Sequence, residues 1–178
     1  ADRYLVQANF RRDGSSRFHK DYRWGSFWSV GANWRISKEA FMADLEWLNN
    51  LSLKLSYGEQ GNDSLGRLYA WQSLYSLSWA NANQIGGLVS TLENKKVSWE
   101  KNGNLHIGIE ASLFDQRLNL NVEYYYKKTT DMLLNYPMAL STGFDGYNDN
   151  VGDMRHTGWA FEVKGTPVKT KAFTWNVT

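Results

Sequence analysis

The stretch from residue 105 to residue 126 reads LHIGIEASL, then FDQR, then LNLNVEYYY, and its pattern decides the fold. Apolar and polar side chains alternate on both sides of the short break at 114–117. Successive side chains of a β-strand point to opposite faces, so each half predicts a strand with one apolar and one polar face. The break predicts a tight turn that joins the two strands in an antiparallel pair.

The same alternation recurs along the chain and predicts seven strands: 3–11, 24–36, 51–58, 105–113, 118–126, 158–164 and 173–178. This register places six side chains on the apolar face: Phe10, Val30, Leu55, Ile107, Val122 and Phe161. It places their neighbours on the polar face: Asn9, Ser29, Ser56, Gly108, Asn121 and Glu162. The alternation lapses from about 59 to 103, which predicts a long loop.

The predicted connections sort by length. At one end of the strands come 12–23 and the long stretches 59–103 and about 129–155, whereas the connections at the other end are 37–50, 114–117 and 166–171, all far shorter than those two stretches. Outer-membrane barrels have short turns at one end and long loops at the other, and strands of about 9–11 residues cross the hydrocarbon. Because open sheet edges are not tolerated in lipid, we interpret the chain as all-β, an antiparallel transmembrane β-barrel segment with about seven strands of a larger barrel. An ordinary sheet with one buried face is the alternative.

Composition agrees with a β protein and excludes several classes. Nine Trp, ten Tyr and eight Phe make up 15% of the 178 residues. Lys and Arg number 20 against 18 Asp and Glu, so bulk charge does not favour nucleic acid as a partner. The absence of Cys excludes a disulfide framework and a thiolate metal site. No apolar run is long enough for a transmembrane helix.

Several words of the sequence, taken together and in order, resemble SusC/RagA-type TonB-linked outer-membrane receptors. They are FRRDGSSRF at 10–18, RWG at 23–25, SVGANWRIS at 29–37, LKLSYGEQGN at 53–62, WEK at 99–101, YYYKKTTDMLL at 124–134 and NVGDMRHTG at 150–158. The resemblance covers nearly the whole chain. It implies that residues 1–178 are a partial barrel domain from the C-terminal half of the parent barrel. We expect no plug domain, TonB box or signal peptide within this chain.

The resemblance also implies a function and partners. The parent protein is expected to import oligomeric nutrients, glycans or peptides, across the outer membrane of a Gram-negative cell. A SusD-like surface lipoprotein would close over the ligand, and TonB would act through parts of the parent protein outside this chain. Outer-membrane lipid would surround the barrel. A soluble all-β glycan-binding module and a passive porin are the alternatives.

Aromatic residues in the long loop are the candidate contacts for ligand or partner: Tyr69, Trp71, Tyr75 and Trp79. Amide side chains follow at Asn81, Asn83 and Gln84. Aromatic faces beside amides suit sugars or peptides, although the same aromatics could simply pack the loop. A basic stretch could attract anionic lipopolysaccharide or be a solvated loop: Arg11, Arg12, Arg17, Lys20 and Arg23.

No pattern indicates catalysis, so the chain is predicted not to be an enzyme and to need no cofactor. The three His residues lack ligand-spaced neighbours, and there is no nucleophile elbow or phosphate-binding loop. An acidic stretch with Asp145, Asp149 and Asp153 could hold Ca²⁺, but its spacing does not match an EF-hand. A solvated loop is the preferred interpretation of this stretch.

Overall fold

The computed structural model describes residues 2–66, 68–170 and 173–178. Its strands are β1 (Tyr4–Gly14), β2 (Trp24–Arg35), β3 (Leu48–Asn62), β4 (Leu74–Asn81), β5 (Gln84–Thr91), β6 (Glu100–Leu113), β7 (Leu118–Thr130), β8 (Leu133–Pro137), β9 (Gly146–Asn150), β10 (Met154–Lys169) and β11 (Thr174–Val177). Short 3₁₀ turns occupy Ile36–Lys38, Ala40–Met42 and Leu140–Thr142. Among the described residues, no helix has the length and apolar character needed to cross a membrane.

Seven of these strands form one antiparallel sheet in the order β1-β2-β3-β6-β7-β10-β11. They are the seven strands predicted from the alternation, and each pairs with the next one predicted along the chain. The all-β, antiparallel prediction is therefore confirmed. The remaining strands form two separate hairpins, β4-β5 and β8-β9.

The strand register confirms the predicted faces. Phe10 pairs with Trp28, and further along the sheet Leu55 pairs with Ile107 and Val122 with Phe161. Directly opposed residues share a face, so the six apolar residues lie on one surface, here called the apolar face. Phe10 and Phe161 are each 71% exposed, so the residues described by the structure leave that surface uncovered.

The opposite surface, here called the polar face, is concave. A hollow of about 1100 Å³ lies against it, lined mainly by polar residues and glycines of β1, β2, β3, β6 and β7. Lys54 forms an ion pair with Glu110 on the neighbouring strand, and His106 hydrogen-bonds to Glu123 in the same way. The sheet therefore curls with its charged and amide side chains inside and its apolar side chains outside.

Five strands extend beyond the bounds that the alternation predicted: β1, β3, β6, β7 and β10. β3 continues to Asn62 and β6 starts at Glu100, because polar residues beyond the apolar part of each strand still pair across the sheet. Where both faces of a strand are polar, the period-2 pattern disappears from the sequence although the backbone pairing between strands continues. β10 likewise includes Thr166–Lys169, which we predicted as a connection. Pro167 is tolerated there because the register shifts between Gly165 and Val168. Lys171, the last residue of that predicted connection, lies outside the described residues.

The two hairpins were missed by the sequence interpretation. The loop predicted at 59–103 contains β4 and β5, and the connection predicted at about 129–155 contains β8 and β9. A signal for the first hairpin was present, since residues 75–80 read YSLSWA with period 2. Its turn, Ala82-Asn83, has positive φ at both positions, as a two-residue hairpin turn requires, without the glycine that usually marks one.

The connections lie at two ends of the sheet. Among the described residues, 15–23, 63–66, 68–99 and 131–153 form the long-loop end, and 36–47, 114–117, 170 and 173 form the short-loop end. At the short-loop end the turn after β6 has positive φ at Phe114, Asp115 and Gln116. The predicted difference in loop length between the ends is present, because both additional hairpins belong to the long-loop end.

One carboxylate fastens the 36–47 connection to the sheet. Glu39 accepts hydrogen bonds from the Tyr4 hydroxyl (2.6 Å), the Trp34 indole (3.1 Å) and the Arg3 guanidinium (3.3 Å). The bond from Tyr4, helped by the bond from Trp34, holds the pKa of Glu39 below its ordinary value. The connection is therefore anchored by an ionised side chain.

Candidate functional site

The long-loop end contains the buried apolar core of the described residues. Phe18, Phe27, Val97 and Trp99 form a buried cluster. They come from the first long connection, β2 and the end of the second long connection. The rings of Phe18 and Phe27 both meet Trp99 edge-on, at centroid distances of 5.5 and 5.4 Å. Leu65, Trp71 and Leu133 pack against this cluster. The cluster and the long-connection residues packed around it are here called the cap.

Two glycines make room for the central ring of this cluster. A Cβ atom added at Gly25 would lie 2.5 Å from Phe27 Cζ, and one added at Gly61 would overlap the same ring. Phe27 projects from the polar face at the point where β2 and β3 separate, since their pairing ends at Ser29 and Gly58. The Phe27 ring therefore occupies the space that side chains at positions 25 and 61 would fill.

Asp63 and Asn94 join the long connections through polar contacts. The Asp63 carboxylate accepts a hydrogen bond from Ser15 (2.7 Å) and pairs with Arg17 at 3.4 Å. The amide of Asn94 donates to the carbonyl of Asn148 (3.0 Å) and to Asp149 Oδ1 (2.9 Å). Each of the outer connections is therefore tied to the 63–99 segment.

Asn150 forms the most extensive of these ties. Its Oδ1 accepts from the Ser98 N–H (2.8 Å), and its Nδ2 donates to the carbonyls of Ser98 (3.0 Å) and Asp131 (2.8 Å). The side-chain amide thus pairs with the Ser98 backbone as a neighbouring strand would. Sequence reasoning missed Asn150, because a single Asn in a polar loop carries no distinguishing pattern.

The structure divides the four predicted contact residues into two groups. Trp71 is half-buried and packs against the buried cluster around Trp99. Its ring meets the His19 ring edge-on, at a centroid distance of 5.1 Å. Tyr69 is exposed in the preceding turn, at a φ of 58°. Tyr75 and Trp79 lie on β4 and are 65% and 60% exposed. Trp71 therefore belongs to the cap, whereas Tyr75 and Trp79 are open to an outside contact.

The hairpin β4-β5 exposes further large apolar side chains around these two aromatics: Leu77, Ile85 and Leu88. Of the predicted amide neighbours, Asn83 lies in the hairpin turn and Gln84 begins β5. Asn81 pairs with Gln84 through the backbone at the end of β4. Such a concentration of exposed apolar surface on a two-stranded ribbon is typical of a protein contact.

The second hairpin adds a smaller exposed surface that was not predicted. Leu134 and Tyr136 on β8 are 46% and 49% exposed, and Tyr136 contacts Tyr147 at a centroid distance of 5.9 Å. Partial burial raises the pKa of Tyr147, and the Asp149 carboxylate raises it further. Both hairpins extend from the same cap.

The acidic stretch is not organised as a cation site. Asp149 is held by Asn94, and Asp153 Oδ2 lies 3.4 Å from the Lys128 ammonium. The residues described by the structure include no group of three or more His, Asp or Glu side chains that could hold a metal ion. The basic stretch is likewise divided, since Arg11 pairs with Asp13 at 2.7 Å and Arg17 pairs with Asp63.

The concave polar face, the uncovered apolar face and the sorted loops are those of a membrane-spanning β-barrel wall. The family model described as "TonB dependent receptor-like, beta-barrel" matches residues 1–178, and the chain belongs to this family. Its members are receptors and transporters rather than enzymes.

Its relatives include TonB-dependent receptor P39 of Formosa agariphila, 36% identical over 176 residues, and TonB-dependent receptor SusC of Bacteroides thetaiotaomicron, 32% identical over 184 residues. Each alignment covers 99% of this chain but only 17% and 18% of the relative. Two structures of the RagAB peptide importer, in its closed-closed and open-open states, match with TM-scores of 0.88 and 0.85 at 35% identity. They match 96% and 97% of this chain and 19% of the other chain. The SusC/RagA resemblance is confirmed.

Proposed function

We propose that this chain is part of the barrel wall of an outer-membrane importer for oligomeric nutrients. The observation that carries the proposal is the pair of faces: an apolar face that continues across the sheet from β1 to β10, with exposed apolar side chains on β1, β2, β3, β6 and β10, opposite a concave polar face. In water, such an apolar surface would promote aggregation, whereas in a bilayer it meets hydrocarbon. The long-loop end then faces the outside of the cell, since barrels carry their longer loops there.

The proposed ligand is a peptide or glycan oligomer that enters along the polar face. Amides, hydroxyls and paired charges line this face, so a polar oligomer could exchange hydrogen bonds with the wall as it moves. The similarity to the RagAB peptide importer supports the peptide class. TonB would act through parts of the parent protein outside this chain.

The hairpin β4-β5 is the proposed contact with a SusD-like lipoprotein or with the ligand it delivers. Tyr75 and Trp79 are exposed on a hairpin whose flanking residues Trp71 and Val97 belong to the packed cap. Trp and Tyr supply large contact areas at low entropic cost and dominate many interfaces. Trp71 supports the hairpin from inside the cap.

The experiment uses the full-length receptor with Tyr75→Ala and Trp79→Ala combined. A matched control replaces Phe41 and Trp47, which are exposed at the short-loop end. We expect the hairpin variant to lose most uptake and lipoprotein binding while inserting normally, and the control to retain both. Retention of both by the hairpin variant rejects this contact. Uptake that continues without TonB would instead indicate a passive porin, and a stable detergent-free monomer would indicate a soluble module.

A further inference from the structure

Three basic residues lie together on the apolar side of the sheet, at its long-loop end. Lys128 of β7 pairs directly with Arg155 of β10, and Lys101 of β6 is diagonal to Lys128, because Lys101 opposes Thr130. Opposed side chains in a sheet have Cβ atoms about 4.5–5.5 Å apart, and diagonal ones about 7–8 Å. All three side chains are exposed. They are here called the basic triad.

The triad carries more positive charge than its protein partners neutralise. Asp153 Oδ2 lies 3.4 Å from Lys128 Nζ. Glu59, diagonal to Lys101, accepts a hydrogen bond from the Tyr57 hydroxyl at 3.2 Å. Two like charges placed directly opposite each other destabilise a sheet unless an anion lies between them. Asp153 compensates Lys128, whereas neither Lys101 nor Arg155 has an ion-pair partner among the described residues, so the triad keeps a net positive charge that an anion from outside would neutralise.

The triad's place along the strands identifies the kind of anion. Below Arg155 on the same face of β10 come Trp159 and Phe161, which stack at a centroid distance of 6.3 Å. Tyr124 of β7 contacts Trp159 at 5.0 Å. From Arg155 to Trp159 is four residues, or roughly 13 Å along a strand. Along the strands, starting at the long-loop end, cationic side chains are therefore followed by aromatic rings and then by aliphatic side chains such as Val122.

This order of side chains is complementary to a lipid with a phosphorylated headgroup. Acyl chains would lie against the aliphatic and aromatic residues, and a phosphate would lie between Lys128 and Arg155. At the short-loop end, the apolar-face positions carry apolar side chains instead, among them Leu113, Leu118 and Val163. The two ends of the wall therefore differ in the headgroup charge they can accept.

We propose that the basic triad binds the phosphate of an outer-leaflet glycolipid, so that the wall holds a specific lipid beside β6, β7 and β10. This inference rests on the proposed insertion of the barrel with its long-loop end outward. It does not depend on the nature of the imported oligomer or on the lipoprotein partner. Arg12 lies on the same face three strands away from β6 and is not part of this site, since it stacks on Trp24 at 5.3 Å.

The test uses the full-length receptor in detergent with a diphosphorylated lipid A and its dephosphorylated form. Native mass spectrometry measures how much of each lipid remains bound. We expect wild type to retain the diphosphorylated lipid preferentially. The combined variant Lys101→Gln, Lys128→Gln and Arg155→Gln should bind it on the order of a hundredfold more weakly, since each basic side chain at a membrane surface contributes about 1 kcal/mol.

A matched control removes the same charge from the loops of the long-loop end, with Lys20→Gln, Lys95→Gln and Lys96→Gln. This control should keep the wild-type preference. Equal binding of the two lipids by wild type, or equal loss in triad and control variants, overturns the inference. Heat-modifiable gel mobility and uptake are measured alongside. A receptor that fails to insert at all contradicts the proposed function, whereas one that inserts and imports without lipid preference contradicts only this inference.

Discussion

The indole N–H of Trp99 donates a 2.9 Å hydrogen bond to the main-chain carbonyl of Arg23, 76 residues earlier in the chain. This bond connects the last residue of the second long connection to the last residue of the first. Trp99 is 9% exposed and also packs on Phe18 and Phe27. One side chain therefore contributes both apolar packing and a polar tie to the cap.

Replacing Trp99 with Phe should destabilise the cap by more than replacing Trp71 with Phe. Both changes remove a similar volume from the same cluster, but only the first removes a hydrogen bond. Trp71 Nε1 has no hydrogen-bond partner among the described residues. The Arg23 carbonyl still accepts the Ser15 N–H at 3.0 Å, so losing the indole bond should cost about 0.5–1.5 kcal/mol beyond the packing loss. Native-state hydrogen exchange of residues 15–23 in the full-length receptor measures the difference, and equal effects would show that the bond contributes nothing.

Gly61→Ala should disturb the cap, whereas Gly31→Ala should not. A methyl group at Gly61 overlaps the buried Phe27 ring, while at Gly31 its nearest neighbour is 3.8 Å away. Overpacking of this kind costs about 1–3 kcal/mol. The measurement is thermal unfolding of the inserted receptor, with protease cleavage of the long loops as the readout, compared between the two variants. Combining Gly61→Ala with Phe27→Leu should recover part of the loss.

Asn150→Asp should separate the 131–153 connection from the 63–99 segment. The substitution keeps the shape of the side chain but replaces the donating Nδ2 with an oxygen that faces the carbonyls of Ser98 and Asp131. Two hydrogen bonds become repulsive contacts, so we expect a loss of about 2 kcal/mol or more in cap stability. Asn148→Asp is the matched control, because the structure uses the carbonyl rather than the side chain of Asn148 to contact Asn94. Hydrogen exchange at 92–99 distinguishes the two variants.

Acid should release the 36–47 connection from the sheet. The pKa of Glu39 is lowered by its bonds from Tyr4 and Trp34, so its contribution to stability is present above the ordinary carboxyl pKa. That contribution is lost as pH falls through the lowered value, where the carboxylate becomes protonated. Protection of the 36–47 amides should therefore decrease at acidic pH, after correction for intrinsic exchange rates. Glu39→Gln should show weak protection at both neutral and acidic pH, and an unchanged pH dependence in that variant would assign the effect to another group.

The strand pairing was predictable because period-2 alternation is a local property. Between residues 105 and 126 it specifies two strands, their faces and the turn, since a slip of one residue would exchange the faces. The family could also be recognised from short words such as 53–62 and 124–134. The extensions of β3 and β6 could not be predicted, because polar residues on both faces leave no periodic signal where the strands rise beyond the apolar part.

The sequence by itself determined the seven strands of the sheet and its two chemically different faces, because neighbouring residues encode them directly. Only the tertiary structure decided which long-loop aromatics support the cap and which are exposed. Trp71 and Trp79 look alike in the sequence, yet one packs near Phe18 and the other lies on an open hairpin. The basic triad was hidden for the same reason. Lys101, Lys128 and Arg155 come together only through pairing between strands that are distant in the chain, and no local pattern records that contact.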